Sequence, residues 1–238
     1  ACRALRRQVA LIIGAVAPLA DSFAQIDSLV RNVIQACKGE EPAGRQVSIE
    51  LLQELLEQVG QEMKPMAADV FDICIAGMGD VSTGVQRAAV KLTTQAIQRF
   101  KGPDVIHQAR EAMEPLHRML ARAVSERDAE TLGVVFEGVT ELVPFAWVAF
   151  EERLHDIVDI ALRAMADARI DLRGRERAAL FINELALYRD DEIQDEKLGP
   201  RIAATLLDVM GQEEIILLET ADKAKDGEGE EGEGNTQA

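Results

Sequence analysis

The chain has 238 residues, a formal net charge of -16, 47% hydrophobic residues and only 4% aromatic residues. The negative charge argues against general affinity for nucleic acids, whose phosphate backbones are bound with Lys and Arg, and it favours a basic protein partner. No apolar run approaches the ~20 residues that a transmembrane helix needs, so no membrane association is predicted. A core poor in aromatics must be built from Leu, Ile, Val, Ala and Met, which suits helices packed on helices.

Cys2, Cys37 and Cys74 are odd in number and show no C-x-x-C spacing. They therefore predict neither a disulfide framework nor a zinc site, and they favour a reducing compartment. The chain begins with Ala1 inside an apolar helical pattern rather than with Met. We therefore expect it to be a piece of a longer protein.

Apolar residues spaced three and four apart predict a series of helices, separated by clusters of Gly, Pro, Asp and Ser. Paired in order, these helices form a leading second helix, four complete helix pairs and the first helix of another pair. No segment alternates like a β-strand over a useful length. The predicted helices span 3–20, 22–38, 43–60, 65–78, 83–100, 104–124, 128–143, 146–167, 172–189 and 195–211.

A short motif that opens with arginine recurs in the chain, as Arg-Gln-Val at Arg7 and Arg45 and as Arg-Ala-Ala at Arg87 and Arg177. The intervals are 38, 42 and 90 residues, and the last corresponds to two units if one copy has lost its arginine. A period of roughly 40 to 47 residues is typical of HEAT and armadillo repeats. The sequence therefore predicts an all-α solenoid of antiparallel helix pairs with a right-handed superhelix. The arginines at 45, 87 and 177 are predicted to bridge turns of neighbouring repeats.

Acidic residues line one side of the predicted second helices. Glu50, Glu54 and Glu57 lie at i, i+4 and i+7, opposite an apolar stripe. Glu137 and Glu141 repeat the i, i+4 pair, and Glu184 continues the line in the next second helix. Two interpretations stay open: a solvated helix face, or an acidic concave surface that holds a basic ligand.

The end of the chain changes character. We expect a repeat array over 1–212 and an acidic, flexible tail or loop over 213–238, because residues 226–234 contain no apolar side chain that could offset the entropy of ordering. The segment is either a solubilising linker or an element that binds a cationic partner. Its candidate acidic residues are Glu228, Glu230, Glu231 and Glu233.

Two Glu-x-x-His motifs, ending at His117 and His155, are separated by a helix that carries Glu137 and Glu141. This is the order of ligands in a di-iron bundle. The preceding helix, however, contains no Asp or Glu that could complete the site. A di-iron enzyme is therefore the least favoured interpretation.

Other signs of chemistry are missing from the sequence. His107 has no partner at a recognisable spacing, and no nucleophile motif, phosphate-binding loop or dinucleotide fingerprint is present. We therefore predict no enzyme activity, no catalytic residue, no metal and no cofactor. Trp147, with Phe145 and Phe150, is predicted to anchor packing between repeats.

The sequence resembles the HEAT-repeat nuclear transport receptors of the importin-β (karyopherin-β) superfamily, and within it the importin-four and importin-five subgroup. Asp80, Val85 and Arg87 are similar to the HEAT positions that form a ladder between repeats, whereas the copy around Thr131 lacks the arginine. The acidic stretch after Glu213 resembles an acidic insertion of this subgroup. The other stretches that carry the resemblance are Arg45–Gly60 with Pro65, 135–144 and 177–186.

This resemblance implies a fragment of a nuclear import receptor that shuttles between cytoplasm and nucleus. It implies basic cargo such as histones or ribosomal proteins, and, for the full-length protein, the Ran GTPase and phenylalanine-glycine (FG) nucleoporins. The cargo face that we expect from the spacing consists of the six glutamates of the second helices. A HEAT-repeat scaffold subunit of a different complex would share every feature of the repeats and is the alternative.

Overall fold

The computed structural model of the chain describes residues 23–100, 102–144, 147–195 and 198–211. None of these residues forms a β-strand. The α-helices are α1 (Phe23–Ala36), α2 (Pro42–Val59), α3 (Ala67–Met78), α4 (Thr83–Phe100), α5 (Pro103–Glu126), α6 (Ala129–Leu142), α7 (Trp147–Phe150), α8 (Leu154–Ala166), α9 (Leu172–Tyr188), α10 (Asp190–Asp195) and α11 (199–211). Single 3₁₀ turns at Lys64–Met66 and Glu151–Arg153 lead into α3 and α8.

The helices form four successive pairs, which confirms the predicted solenoid. The first helices are α1, α3, α5 and α8, and each packs on the second helix that follows it, namely α2, α4, α6 and α9. The second helices also pack on one another in chain order, with α4 between α2 and α6, and α6 between α4 and α9. Each inner pair thus buries its apolar stripes within the pair and against both neighbours.

The core runs through the array as one continuous apolar cluster. Phe71 and Phe100 join the two helices of one pair, with ring centroids 6.4 Å apart. Phe136 and Phe181 join second helices of neighbouring pairs, with centroids 6.0 Å apart. These separations are normal for tilted aromatic pairs. None of the described helices is both long enough and apolar enough to cross a bilayer.

Aspartates begin two of the second helices. The carboxylate of Asp128 accepts a hydrogen bond from the backbone N–H of Thr131 at 3.0 Å, and that of Asp171 accepts one from Arg173 at 2.9 Å. Each bond satisfies an N–H that has no partner inside its helix. Arg127, between α5 and α6, has a left-handed backbone with φ of 56°. This residue ends the first helix and lets the chain reverse within a short turn.

Two predicted helices differ from the observed ones. The predicted helix at 146–167 is interrupted, because the 3₁₀ turn Glu151–Arg153 separates α7 from α8. The predicted helix at 195–211 is also wrong at its start, since α10 already covers Asp190–Asp195 and α11 begins at 199. The first stretch keeps a helical apolar period across the interruption, so the pattern alone did not reveal it. In the second stretch, Gly199 and Pro200 lie in the first turn of α11. The predicted helix at 3–20 and the acidic tail lie outside the described residues.

Candidate functional site

A groove of about 380 Å³ lies across three consecutive second helices. Its middle is α4, and its two sides are α2 and α6, the helices that pack against α4. The groove therefore exists only because three repeats stack in order. Its lining residues are Gln53, Glu54, Glu57, Lys91, Thr94, Gln95, Gln98, Val134, Glu137, Gly138 and Glu141.

The two sides of the groove are acidic. Glu54 and Glu57 of α2 form one side, and within the described residues neither carboxylate has a hydrogen bond or ion pair. On the α6 side, Glu137 lies 3.8 Å from Nη1 of Arg177, and Glu141 accepts a long hydrogen bond of 3.4 Å from Gln98. The protein thus leaves most of the hydrogen-bonding capacity of these four carboxylates unused, and a cationic ligand could occupy it.

The floor of the groove is polar but carries no acid. Thr94 is 4% exposed, and its hydroxyl donates to the backbone oxygen of Val90. Gly138 faces this threonine from α6, and a Cβ on Gly138 would lie 2.7 Å from Thr94 Oγ1. The glycine therefore allows α4 and α6 to approach closely at the centre of the groove.

Lys91 is the only cation among the groove-lining residues. Its side chain is exposed, and it forms no ion pair within the part of the chain that the structure describes. The lysine thus adds a positive charge to the neutral floor, between two acidic sides. Sequence analysis did not single out Lys91 or the floor glutamines, although the absence of Asp and Glu from 83–100 was visible in the sequence.

The other predicted cargo residues lie elsewhere. Glu50 is half-buried on α2 and accepts a hydrogen bond of 2.9 Å from Gln46. Glu184 is half-buried on α9, one helix beyond the groove, and does not line it. The structure therefore brings four of the six predicted glutamates together. The predicted tail residues Glu228, Glu230, Glu231 and Glu233 lie outside the described residues.

The predicted ladder begins with a bidentate ion pair between neighbouring repeats. Nε of Arg45 lies 2.7 Å from one carboxylate oxygen of Asp80, and Nη2 lies 2.9 Å from the other. Both side chains are largely covered, with 17% and 10% exposure. Asp80 also accepts from the backbone N–H of Ser82. The hydrogen bonds from Arg45, opposed by partial burial, hold the pKa of Asp80 below its usual value.

The next rung uses Arg87, which pairs with the exposed Glu130 of the following repeat. Arg87 also lies near Asp128, the aspartate that begins α6. Burial raises the pKa of Asp128, but the hydrogen bonds from Thr131 and the charge of Arg87 outweigh it, so that this pKa is lowered overall. The carboxylate therefore stays ionised and can serve both as a cap and as a partner of the arginine.

The copy around Thr131 lacks the motif arginine, and the structure shows what replaces it. Thr131 is buried and donates its hydroxyl to Asp128. Arg127, from the turn before α6, lies 3.7 Å from Asp167 of the next repeat. Asp167 also accepts from the side chain and backbone of Arg169, which lower its pKa to about 2.

Arg177 was predicted to belong to the same ladder of turns. It contacts Glu137 instead, on the second helix of the preceding repeat. The arginine therefore links two repeats through their helices rather than through a turn aspartate. It also faces one of the four groove carboxylates from outside the groove lining.

The two Glu-x-x-His motifs do not assemble a metal site. In the described residues, no group of three or more His, Cys, Asp or Glu side chains lies close enough to hold a metal ion. Glu114 of the first motif is paired with Arg153, which lies inside the second motif, and also with Arg118. The carboxylate that a di-iron centre would need is thus turned towards guanidinium groups.

Nor do the described residues offer an activated thiol. Burial raises the pKa of Cys37 and of Cys74 to about 12, which keeps both thiols neutral near pH 7. The structure does not describe the side chains of Phe145, Trp147 and Phe150, so their role in packing between repeats stays a prediction. The chemistry available in the groove is therefore recognition by charge and hydrogen bonds.

Comparison with known proteins gives a match in structure only. No protein-family model matches the chain, and no curated protein matches it. Solved structures of the karyopherin Kap121p do match. The structures of Kap121p bound to the SUMO protease Ulp1p and to Nup53p each match with a TM-score of 0.62 at 18% sequence identity. Each match covers 71% of this chain and 16% of the Kap121p chain. Kap121p bound to RanGTP matches with a TM-score of 0.60 at the same identity and coverage.

The chain spans about one sixth of the length of Kap121p, for 16% of that chain is covered. At 18% identity the likeness concerns the fold. The four helix pairs and their stacked second helices therefore have the HEAT-repeat solenoid architecture found in a part of the karyopherin Kap121p.

Proposed function

We propose that this chain is part of a nuclear import receptor of the importin-β superfamily, similar to the importin-four and importin-five subgroup, and that its groove binds basic segments of cargo. The observation that carries this proposal is the groove itself, with four carboxylates contributed by two second helices, two of them without any partner in the described residues. The solenoid fold shared with Kap121p, whose structures include complexes with a nucleoporin and with RanGTP, supports the same conclusion.

On this proposal the repeat array extends over 1–212, and 213–238 is an acidic element that adds to the negative field. The cargo is basic, as histones and ribosomal proteins are, and the full-length receptor also binds Ran and FG nucleoporins while it shuttles between cytoplasm and nucleus. The chain itself performs no catalysis. Its function is to bind and release cargo.

Recognition would proceed by steering and then by contact. The net charge of -16 attracts a basic segment over a distance of about one Debye length and raises the rate of encounter. Lysine or arginine side chains of the segment then pair with the carboxylates of α2 and α6. Each exposed pair is weak, of the order of ~0.2 to 1 kcal/mol, so several must form together.

Charge reversal in the groove tests the proposal. We expect the Glu57→Lys, Glu141→Lys double variant to weaken binding of a lysine-rich histone-tail peptide by about tenfold at low salt, because it replaces two attractions by two repulsions. The difference should shrink as salt is added. Fluorescence anisotropy with a labelled peptide measures both effects.

A matched control variant distinguishes an effect of the groove from an effect of the net charge of the chain. Asp72→Lys with Glu152→Lys makes the same change in net charge at exposed sites away from the groove, on α3 and in the 3₁₀ turn before α8. This control should change affinity by less than about twofold at moderate salt. Equal losses in the two double variants would show that the groove is not the binding site. Basic-peptide binding without any binding to FG-repeat nucleoporins would favour the scaffold alternative over the receptor.

A further inference from the structure

The charges of the groove are segregated by helix. Carboxylates occupy the α2 side, at Glu54 and Glu57, and the α6 side, at Glu137 and Glu141. The α4 floor between them presents Lys91, Thr94, Gln95 and Gln98. A basic segment that crosses the groove therefore meets attraction, then a like charge, then attraction again.

The distance between the two acidic sides can be estimated from helix packing. Neighbouring packed helices lie about 8 to 10 Å apart, so the axes of α2 and α6, which both pack on α4, lie at most about 16 to 20 Å apart. An extended peptide covers this distance in about five or six residues, at up to about 3.6 Å per residue. Two basic groups that reach both sides at once must be separated by that many residues.

Lys91 faces the central residues of such a peptide, between its two basic groups. It is exposed and is the only cation of the groove lining, and it forms no ion pair within the described residues, so its ammonium group can repel a cation of the ligand. A lysine or arginine at the centre of the ligand would face this charge, whereas an uncharged residue would not. The glutamines beside it, Gln95 and Gln98, offer donors and acceptors suited to a peptide backbone.

From this layout we infer that Lys91 is a specificity-determining residue. It makes the groove prefer peptides in which about five uncharged residues separate two basic groups. Peptides with a continuous basic run bind less tightly. This inference rests on the proposed function of the groove. A repulsive element of this kind discriminates among ligands that share the same net charge.

Two peptides of identical composition test the inference on the full chain. In the spaced peptide, two lysines stand at each end of about five Gly and Ser residues; in the clustered peptide, the same four lysines stand together in the middle. At low ionic strength we expect the wild-type chain to prefer the spaced peptide by about threefold or more. Lys91→Gln should reduce the preference, chiefly by tightening the clustered peptide, and Lys91→Arg should keep it.

The possible outcomes separate the two proposals. Equal binding of both peptides by the wild-type chain, or an unchanged preference in Lys91→Gln, would overturn the inference and leave the basic-ligand groove in place. Binding of neither peptide above an unrelated acidic protein of matched charge would overturn the proposed function together with it. Circular dichroism of each variant, with a helix content equal to that of the wild type, shows that the comparison concerns the groove and not the fold.

Discussion

Arg45 and Asp80 illustrate how single residues join neighbouring repeats. The guanidinium of Arg45 holds both oxygens of Asp80 and also donates to the backbone oxygen of Gly39 at 3.0 Å, so it ties the turn before α2 to the turn before α4. A bidentate pair of this kind is stronger and more directional than an ordinary surface ion pair. The arrangement positions the second helices that form the groove.

Removal of this rung should lower stability. We expect Asp80→Ala to reduce Tm by about 4 °C, since it leaves a largely covered arginine without its partner and removes an acceptor from the turn. The control is Asp72→Ala, an exposed aspartate of α3, which should change Tm by less than about 1 °C. Thermal melts followed by circular dichroism measure both. Equal effects would mean that the ion pair contributes nothing of its own.

The same rung predicts a dependence on pH. Because Arg45 lowers the pKa of Asp80 in the folded state, the contribution of the pair is present above the unfolded pKa of about 4 and is lost as pH falls through the lower, folded pKa. The stability difference between wild type and Asp80→Asn should therefore be constant from about pH 5 to 8 and shrink below about pH 4. Urea titrations at several pH values test this, and a difference that grows on acidification would contradict it.

At the scale of elements, the contact between α4 and α6 decides the shape of the groove. Gly138 has no room for a side chain, since a Cβ there would lie 2.7 Å from Thr94 Oγ1 and 3.3 Å from Val90 Cγ1. Gly133, on the same helix, is different, because its nearest neighbour in that direction is Arg177 Cγ at 4.0 Å. The two glycines therefore have different reasons to be glycine.

Substitution by alanine should have opposite effects at these two positions. Gly138→Ala should destabilise the chain by about 1 to 3 kcal/mol through overpacking, and Thr94→Ala in the same chain should restore part of the loss. Gly133→Ala should stabilise it by about 0.5 to 1 kcal/mol, because alanine loses less backbone entropy in a helix. Chemical denaturation measures all three variants. Stabilisation by both alanines would show that α4 and α6 can move apart freely.

At the scale of the molecule, stability should be unequal along the array. The inner second helices α4 and α6 each pack against two other second helices. In contrast, α11 exposes much of its apolar surface, with Leu207 71% and Met210 66% exposed. Since each repeat of a solenoid is stabilised mainly by its neighbours, inner and outer repeats should open with different free energies.

Hydrogen exchange can measure this gradient. We expect amides in α4 and α6 to exchange about a hundredfold more slowly than those in α11, with no change in the order of protection on addition of salt. Exchange followed by mass spectrometry resolves peptides from each helix. A single protection factor throughout the chain would show that the array unfolds as one cooperative unit instead.

The sequence alone determined the repeat architecture. Apolar spacing marked the helices, and turn residues marked most of their ends, because both signals are local and depend on nearby side chains only. The motif arginines revealed the period, and the glutamates at 54, 57, 137 and 141 were recognised as a face from their spacing on single helices. The interruption of the helix at 151–153 was not visible, since the apolar period continues across it.

Only the tertiary structure decided which of these residues meet. The groove joins residues more than 80 positions apart, such as Glu54 and Glu141, and it excludes Glu50 and Glu184, which share their helical pattern. Likewise, Arg127 pairs with Asp167 from a turn that the motif does not include, while Arg177 turns to Glu137. These partners depend on the register of one helix against the next, which packing across the whole interface determines and no local pattern encodes.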